Sequence, residues 1–220
     1  MYVVSTPIGN LGDISYRAVE ILQKVDLIAA EDTRRAAVLA KKYDIRTQRI
    51  SYHEHNARKR APELVKNLKT GKDVALISDA GTPGISDPGY VLINSCITNS
   101  ISIIPVPGAS AILAALVVSG LPTDRFVFEG FLPAKKGRKK KLENLASEKR
   151  TIVFYESPHR IIRTLRDLLD AFGDRKVVLA RELTKVFEEI TRKNLSELQE
   201  HFSEKKPKGE FVIVVHGAAK

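Results

Sequence analysis

The chain has a single cysteine, Cys96, in 220 residues, so it can form no intrachain disulfide and no cysteine-based zinc cluster. That usage fits a reducing compartment. A long hydrophobic run is also missing. The longest near-apolar stretch, Ala109–Val118, holds ten residues and includes Ser110, whereas crossing a bilayer takes about 20. Tyr2-Val3-Val4 follow Met1 with no basic segment or cleavage site, so no signal peptide is expected and a soluble, cytoplasmic protein is. No G-x-x-x-x-G-K-[ST] occurs, which excludes P-loop chemistry. No G-x-G-x-x-G follows the first apolar burst, which weakens a dinucleotide oxidoreductase. Hydrophobic residues at 43% and charged residues at 28% exclude disorder and fibrous arrays.

Positive charge is plentiful but uneven. Of the net +10, the seven residues Lys135–Lys141 carry +6, which leaves +4 for the rest of the chain. So dense a run attracts a polyanion such as RNA by counterion release, or serves as a solvated loop.

Short β-branched bursts at Tyr2–Ser5, Leu27–Ala30, Val74–Ile77 and Ile101–Val106 alternate with helical patterns, and a shorter strand is expected at Arg49–Tyr52. This spacing predicts an open, mostly parallel α/β sheet. Pro62 predicts a helix that starts near Ala61 or kinks there. After the break at Ser119-Gly120-Leu121-Pro122-Thr123 the pattern restarts. Strands are expected at Phe126–Glu129, Thr151–Tyr155, Lys176–Ala180, Val186–Arg192 and Phe211–Val215, with helices at His159–Ala171 and Leu195–Phe202. Lys176–Ala180 and Val186–Arg192 read as antiparallel neighbours, so the second sheet is expected to be mixed. Two α/β domains follow, residues 1–120 and 121–220.

Three Gly/Pro-rich loops fall after strands of the first domain: Thr6–Gly12, Asp79–Gly89 and Pro105–Ser110. Glycine lets backbone approach a ligand and proline sets the loop in advance, so the loops suit a nucleotide or nucleoside. A helix starting near Ser110 offers free N–H groups to a carboxylate or phosphate. Polar residues also follow strands, at Glu31-Asp32-Thr33-Arg34, His53-Glu54-His55-Asn56 and Glu156-Ser157-Pro158-His159-Arg160. Asp32 suits a helix N-cap as well as chemistry. The H-E-H spacing does not match a zinc motif, so no metal is expected.

Read together, Ser5–Ile14, Ala30–Arg34, His53–Asn56, Ser78–Gly89, Pro107–Ala111, Gly130–Pro133 and Tyr155–Arg160 resemble the ribosomal RNA small subunit methyltransferase I family, of the tetrapyrrole methylase superfamily. The resemblance runs along essentially the whole chain, and Ser78–Gly89 is its most specific string. Members of that family often continue into a further small C-terminal domain, whereas this sequence stops at Lys220, which leaves a natural short form and a truncation as alternatives. The resemblance implies two α/β domains with a cofactor cleft between them, S-adenosylmethionine as cofactor, and 2′-O-methylation of a cytidine ribose in 16S rRNA of the 30S subunit. A homodimer is implied as well.

Carried over by motif, the cofactor-binding residues are Pro7, Asp79, Gly81, Thr82, Ile85, Ser110, Ala111, Tyr155, Ala180 and Gly209. A ribose hydroxyl is a poor nucleophile and needs a proton acceptor. The candidates are Asp32, His53, Glu54 and Glu156, and spacing does not choose among them. Arg34, Lys139, Lys140, Lys141 and Arg160 are the expected contacts to RNA. The rival readings are a sibling methyltransferase acting on a small molecule or a protein residue, and a non-enzymatic RNA-binding factor.

Overall fold

Two four-residue runs, Leu27–Ala30 and Val74–Ile77, are buried at every position, as the inner strands of a parallel sheet must be. In the computed structural model, which describes residues 1–202 and 207–219, they are β2 and β4 of a sheet completed by β1 (Tyr2–Val4), β3 (Arg49–Ser51) and β5 (Ile104–Val106). The strand order is β3-β2-β4-β1-β5, and every pairing is parallel. From β1 the chain passes over β4 to β2 and β3. It then returns to β4 and passes over β1 to β5.

Because crossovers are right-handed, the two directions of travel put their helices on opposite faces. Helices α1 (Tyr16–Lys24) and α2 (Thr33–Lys42) bury Leu22 and Leu39 against Val4, Ile28 and Ile77. Helices α3 (Ala57–Lys69) and α4 (Tyr90–Thr98) bury Leu64, Leu92 and Cys96 against Leu27, Ala29 and Leu76. Each helix start has a local cause. The Ser15 hydroxyl caps α1 at Ala18 N–H, 3.2 Å away, and the Asp32 carboxylate caps α2 at Arg34 N–H. Of the two expectations for Pro62, a start near Ala61 is excluded: helix α3 begins at Ala57, because Asn56 and Ala57 N–H both close on the His53 carbonyl. Pro62 therefore sits inside the helix.

The second unit comprises α5 (Ala111–Ser119), β6 (Phe126–Phe131), α6 (Arg138–Leu145), β7 (Thr151–Glu156), α7 (Ile161–Phe172), β8 (Lys176–Arg181), β9 (Glu189–Asn194), α8 (Leu195–His201) and β10 (Phe211–Val215). Its sheet has the order β6-β7-β10-β8-β9. β6 and β7 are parallel, while β10 is antiparallel to β7 and β8, and β9 is antiparallel to β8. The sheet is mixed, with its core built from Ile152, Phe154, Leu165, Leu168 and Ile213.

Two details differ from the sequence expectation. The chain divides between Ser110 and Ala111 rather than at the Gly120-Leu121 break, because α5 packs against β10 of the second unit. The Lys135–Lys141 run is half helix, since α6 begins at Arg138 and buries that residue with Leu142 and Leu145.

One buried hydroxyl ties β3 to α4. Gly89, at the N-cap of α4, has no side chain to offer, and the fully buried Tyr52 hydroxyl accepts from Leu92 N–H at 3.0 Å in its place. Tyr52→Phe should cost about 1–3 kcal/mol, the price of an orphaned buried donor. Urea denaturation of the two proteins measures it, with an unchanged m-value expected.

Candidate functional site

Adjacent strands whose connections depart in opposite directions open a gap at their carboxyl ends, and ligands of open α/β sheets bind there. In the first unit these strands are β1 and β4. Their loops are stitched together: Thr6 and Gly81 exchange two backbone hydrogen bonds, of 2.9 and 3.0 Å, and the Thr6 hydroxyl donates to the Ser78 carbonyl at 3.1 Å. Ser5 and Thr82 share a hydroxyl–hydroxyl bond of 2.8 Å. Gly81 sits at φ +82°, in the left-handed region, beside the Ile8 side chain and the Ala109 carbonyl. The third loop closes in at Gly108, where an added Cβ would lie 3.0 Å from that of Ser5. The loops after β1, β4 and β5 thus form one preorganised backbone surface. Pro7 is buried in it, Asp79 and Thr82 are partly buried, and Ile85 is exposed.

Acidic groups line the neighbouring ends of β2 and β4. Asp79 accepts from Asp32 N–H at 3.0 Å, and Glu31 accepts from Asp79 N–H at 3.2 Å. Arg35 approaches Asp79 at 3.4 Å. Burial, joined by the charge of Asp79, raises the Glu31 carboxyl above its usual range. Burial and then the Glu31 charge push Asp87 up to about 6, although Ser78 hydrogen-bonds to it. Glu31 stands in one of the polar loops noted from the sequence and Asp87 in the Asp79–Gly89 loop, but neither is among the expected proton acceptors. The available signal was a carboxylate directly after a fully buried strand, which Glu31 is.

The four expected proton acceptors fare differently. Asp32 caps α2 and grips the Arg34 guanidinium at 2.7 and 3.1 Å, which holds its carboxyl down at about 2. Glu156 is buried in the second unit. Its carboxylate accepts from Thr164 Oγ1 at 2.6 Å and Ser157 N–H at 2.9 Å, and pairs with Arg160 at 3.2 Å. Both carboxylates are therefore spent on structure. His53 and Glu54 lie in the turn after β3. The His53 ring meets Asn56 Nδ2 through Nε2 at 3.1 Å, and its buried Nδ1 has no hydrogen-bond partner among the described residues. Glu54 is exposed. Among the described residues, no three His, Cys, Asp or Glu side chains converge as a metal ion would require.

The expected RNA contacts also divide. Lys139 and Lys140 are exposed, and Lys139 has only a loose 3.9 Å approach to Glu143. Lys141 is paired with Glu129 at 2.7 Å, so it is less available than the run suggested. Arg138, from the middle of the run, is buried on Asp167 at 2.6 Å and Thr164 at 2.8 Å. Arg160 is held by Glu156 and the Leu132 carbonyl, while Arg34 is solvent-exposed but paired with Asp32. A charge count along the sequence cannot see these partners.

In the second unit, Tyr155 at the end of β7 is half-buried, with its ring edge-on to Phe128 at 5.0 Å and tilted to Phe131 at 5.7 Å. Ala180 is a buried ladder residue of β8, paired with Val212 and Ile190. Gly209 has φ +89°, and a Cβ there would come within 2.4 Å of Glu182 Cγ, so packing alone accounts for the glycine. Ser110 and Ala111 stand at the start of α5.

This sheet with parted loops at its switch point defines a class, and comparison with known proteins names it. The tetrapyrrole (corrin/porphyrin) methylase family model matches residues 1–199. The chain is 54% identical over 220 residues to a ribosomal RNA small subunit methyltransferase I of Synechocystis, covering 99% of this chain and 79% of that protein. It is 51% identical over 217 residues to the protein of that name from Thermotoga maritima, covering 99% and 98%. A Thermus thermophilus uroporphyrin-III C-methyltransferase solved with S-adenosylhomocysteine shares the fold, with TM-score 0.68 and 18% identity over 97% of this chain and 95% of that one. The chain belongs to the tetrapyrrole methylase family, and within it to the ribosomal RNA small subunit methyltransferase I group. It is a methyltransferase.

Gly81→Val forces a β-branched residue into the left-handed region beside Ile8, and should abolish S-adenosylmethionine binding in isothermal titration while thermal unfolding stays cooperative. Asp87 gives a second test. Its carboxyl holds a proton up to about pH 6 when folded, against an ordinary 3.8. The protonated group's contribution is thus full below about pH 4 and lost as the pH rises through about 6. Asp87→Asn should stabilise the protein by roughly 1–3 kcal/mol at pH 7.5, and the gain should vanish at pH 4 in denaturant titrations.

Proposed function

We propose that this methyltransferase acts on the 2′-oxygen of a cytidine ribose in 16S rRNA within the 30S subunit. The carrying observation is 51% identity to a ribosomal RNA small subunit methyltransferase I across 98% of that relative's length. S-adenosylmethionine supplies an electrophilic methyl group on a sulfonium centre. The residues present fit such a molecule. Gly81 brings backbone without a side chain to the switch point, Ser5 and Thr82 offer hydroxyls, and the amides at the start of α5 by Ser110 and Ala111 suit a carboxylate. Pro7, Asp79 and Ile85 complete the contribution of the first unit, and Tyr155, Ala180 and Gly209 are proposed as cofactor-binding on the family resemblance alone.

The protein's part in the reaction is alignment and proton acceptance. The proton must reach a group that no arginine has neutralised. Asp32 and Glu156 are each bound to an arginine. Glu31, Asp87 and His53 belong to the carboxyl edge of the first sheet, and Glu54 stands exposed beside His53. Glu31 and Asp87 are better proton acceptors than ordinary carboxylates because burial raises them. Lys139 and Lys140 are the proposed phosphate contacts. Among the described residues, no helix is long and apolar enough to cross a membrane. A cytoplasmic homodimer is part of this reading.

The decisive experiment is transfer of a tritiated methyl group to 30S subunits and to naked 16S rRNA, followed by nucleoside analysis. The label should appear as 2′-O-methylcytidine. Label on a base, a protein or a small molecule would reject the reading. In the same assay series, Lys139→Gln with Lys140→Gln should flatten the salt dependence of RNA binding by roughly 0.7–0.9 log units per lost contact. Arg138→Gln should leave that slope unchanged and cost about 1–3 kcal/mol of stability, since it takes the buried donor from Thr164 Oγ1 and the Pro133 carbonyl.

A further inference from the structure

The loop joining β8 to β9 keeps two apolar residues in solvent on a backbone that is strained to hold them there. Val186 is 93% exposed and Phe187 71%. Glu182 and Thr184 both adopt left-handed conformations, with φ of 48° and 66°. For Thr184, a β-branched residue, that conformation is costly and persists only where the surroundings over-determine it. They do. Glu182 N–H donates to the Glu210 carbonyl at 2.9 Å, and Glu210 N–H donates back to Glu182 Oε1 at 2.9 Å. Lys185 Nζ bridges both carboxylates at 2.9 and 2.8 Å. Glu188 accepts from Thr184 N–H, and Glu189 pairs with Arg181 at 3.0 Å. Gly209 leaves room for Glu182, which a Cβ would take. Each carboxylate around the loop is thus engaged in holding it, and the part left over is an aromatic ring.

The sheet register shows what shares that edge. β7 and β8 each pair antiparallel with β10, Glu156 and Arg181 both opposite Phe211, and β6 runs parallel to β7. The carboxyl ends of β6, β7 and β8 therefore lie on one edge. β6 ends at Phe131, which is 52% exposed, and leads through Leu132–Ala134 to the exposed Lys135 and Lys136. Three strand intervals at ~4.8 Å separate β6 from β8 in the sheet order, roughly 14 Å along the edge. One edge thus carries exposed rings near its two ends and exposed cations beside one of them.

We propose that this edge is a stacking platform for unpaired bases of RNA, with Phe187 and Phe131 as the stacking rings and Lys135 and Lys136 meeting the phosphates. Every base has a π-face, so rigidly displayed aromatics bind single strands whatever their sequence. The proposal rests on the RNA substrate argued above. The +10 net charge favours a polyanion over a second copy of the chain as the occupant.

The test measures anisotropy of a labelled single-stranded RNA oligonucleotide, with 30S subunits in parallel. Phe187→Ala should weaken binding roughly 5- to 150-fold, the equivalent of losing one stacked base. Its salt slope should be unchanged, because no phosphate contact is lost. Phe187→Trp should bind within about threefold of wild type, since an indole ring also stacks. S-adenosylmethionine affinity and sedimentation behaviour should not change. Wild-type binding by Phe187→Ala, or full rescue by Phe187→Leu, would overturn the stacking role while leaving the RNA reading intact. A changed oligomeric state in Phe187→Ala would instead make the tip a contact between copies and also overturn it. A wild-type protein that binds neither RNA nor 30S would remove both readings.

Discussion

The handedness of the β-strand crossovers is the constraint on which the first unit depends. A right-twisted strand followed by a helix returns to the sheet on only one side for each direction of travel. Placing β4 between β2 and β1 makes the chain travel both ways across the sheet, which sends α1 and α2 to one face and α3 and α4 to the other. The loops after β1 and β4 must then part. The backbone that this parting exposes is held by the Thr6–Gly81 bridge and the Ser5–Thr82 hydroxyl pair. The glycines and hydroxyls there act on a surface that the topology had already opened.

In the second unit the organising interaction is electrostatic. Arg138, Thr164, Asp167, Glu156 and Arg160 form one network joining α6, β7 and α7, with Arg138, Thr164 and Glu156 buried at its centre and Asp167 and Arg160 at its rim. It recruits a cation from the middle of the basic run and a carboxylate from the end of a strand, and so removes both from the surface. Such a network is costly to break at Arg160, because the Glu156 charge is then left buried without its cation. It also orients α6 so that Lys139 and Lys140 face solvent. The same residues that looked like binding or catalytic groups thus fix the position of those that remain free.

Much of this was legible from residue order. Strand and helix types followed from short β-branched bursts and helical periodicity, and the expected strands match observed ones to within a few residues. The exceptions have local causes. The His53 turn nucleates α3 before Pro62, and a tight loop at 182–188 delays β9 to Glu189. Neither α4 nor α6 was anticipated. Helix α4 is capped by the distant Tyr52 hydroxyl, and α6 is anchored by Arg138, whose burial no charge pattern announces.

By itself the sequence determined the element types, the parallel first sheet, the mixed second sheet and the Gly/Pro loops at strand ends, because these depend on properties of neighbouring residues. The family resemblance followed from strings of the same local kind. Tertiary structure alone decided which titratable groups stay available. Asp32 and Glu156 close on arginines only two and four residues away, whereas Glu31 and Asp87 are raised by burial and by carboxylates dozens of residues away. It also decided which cations face solvent, and it put Phe131 and Phe187 on one edge. Electrostatic energies depend on distance and burial, which a linear sequence does not specify, whereas backbone propensity and periodicity are written into it residue by residue.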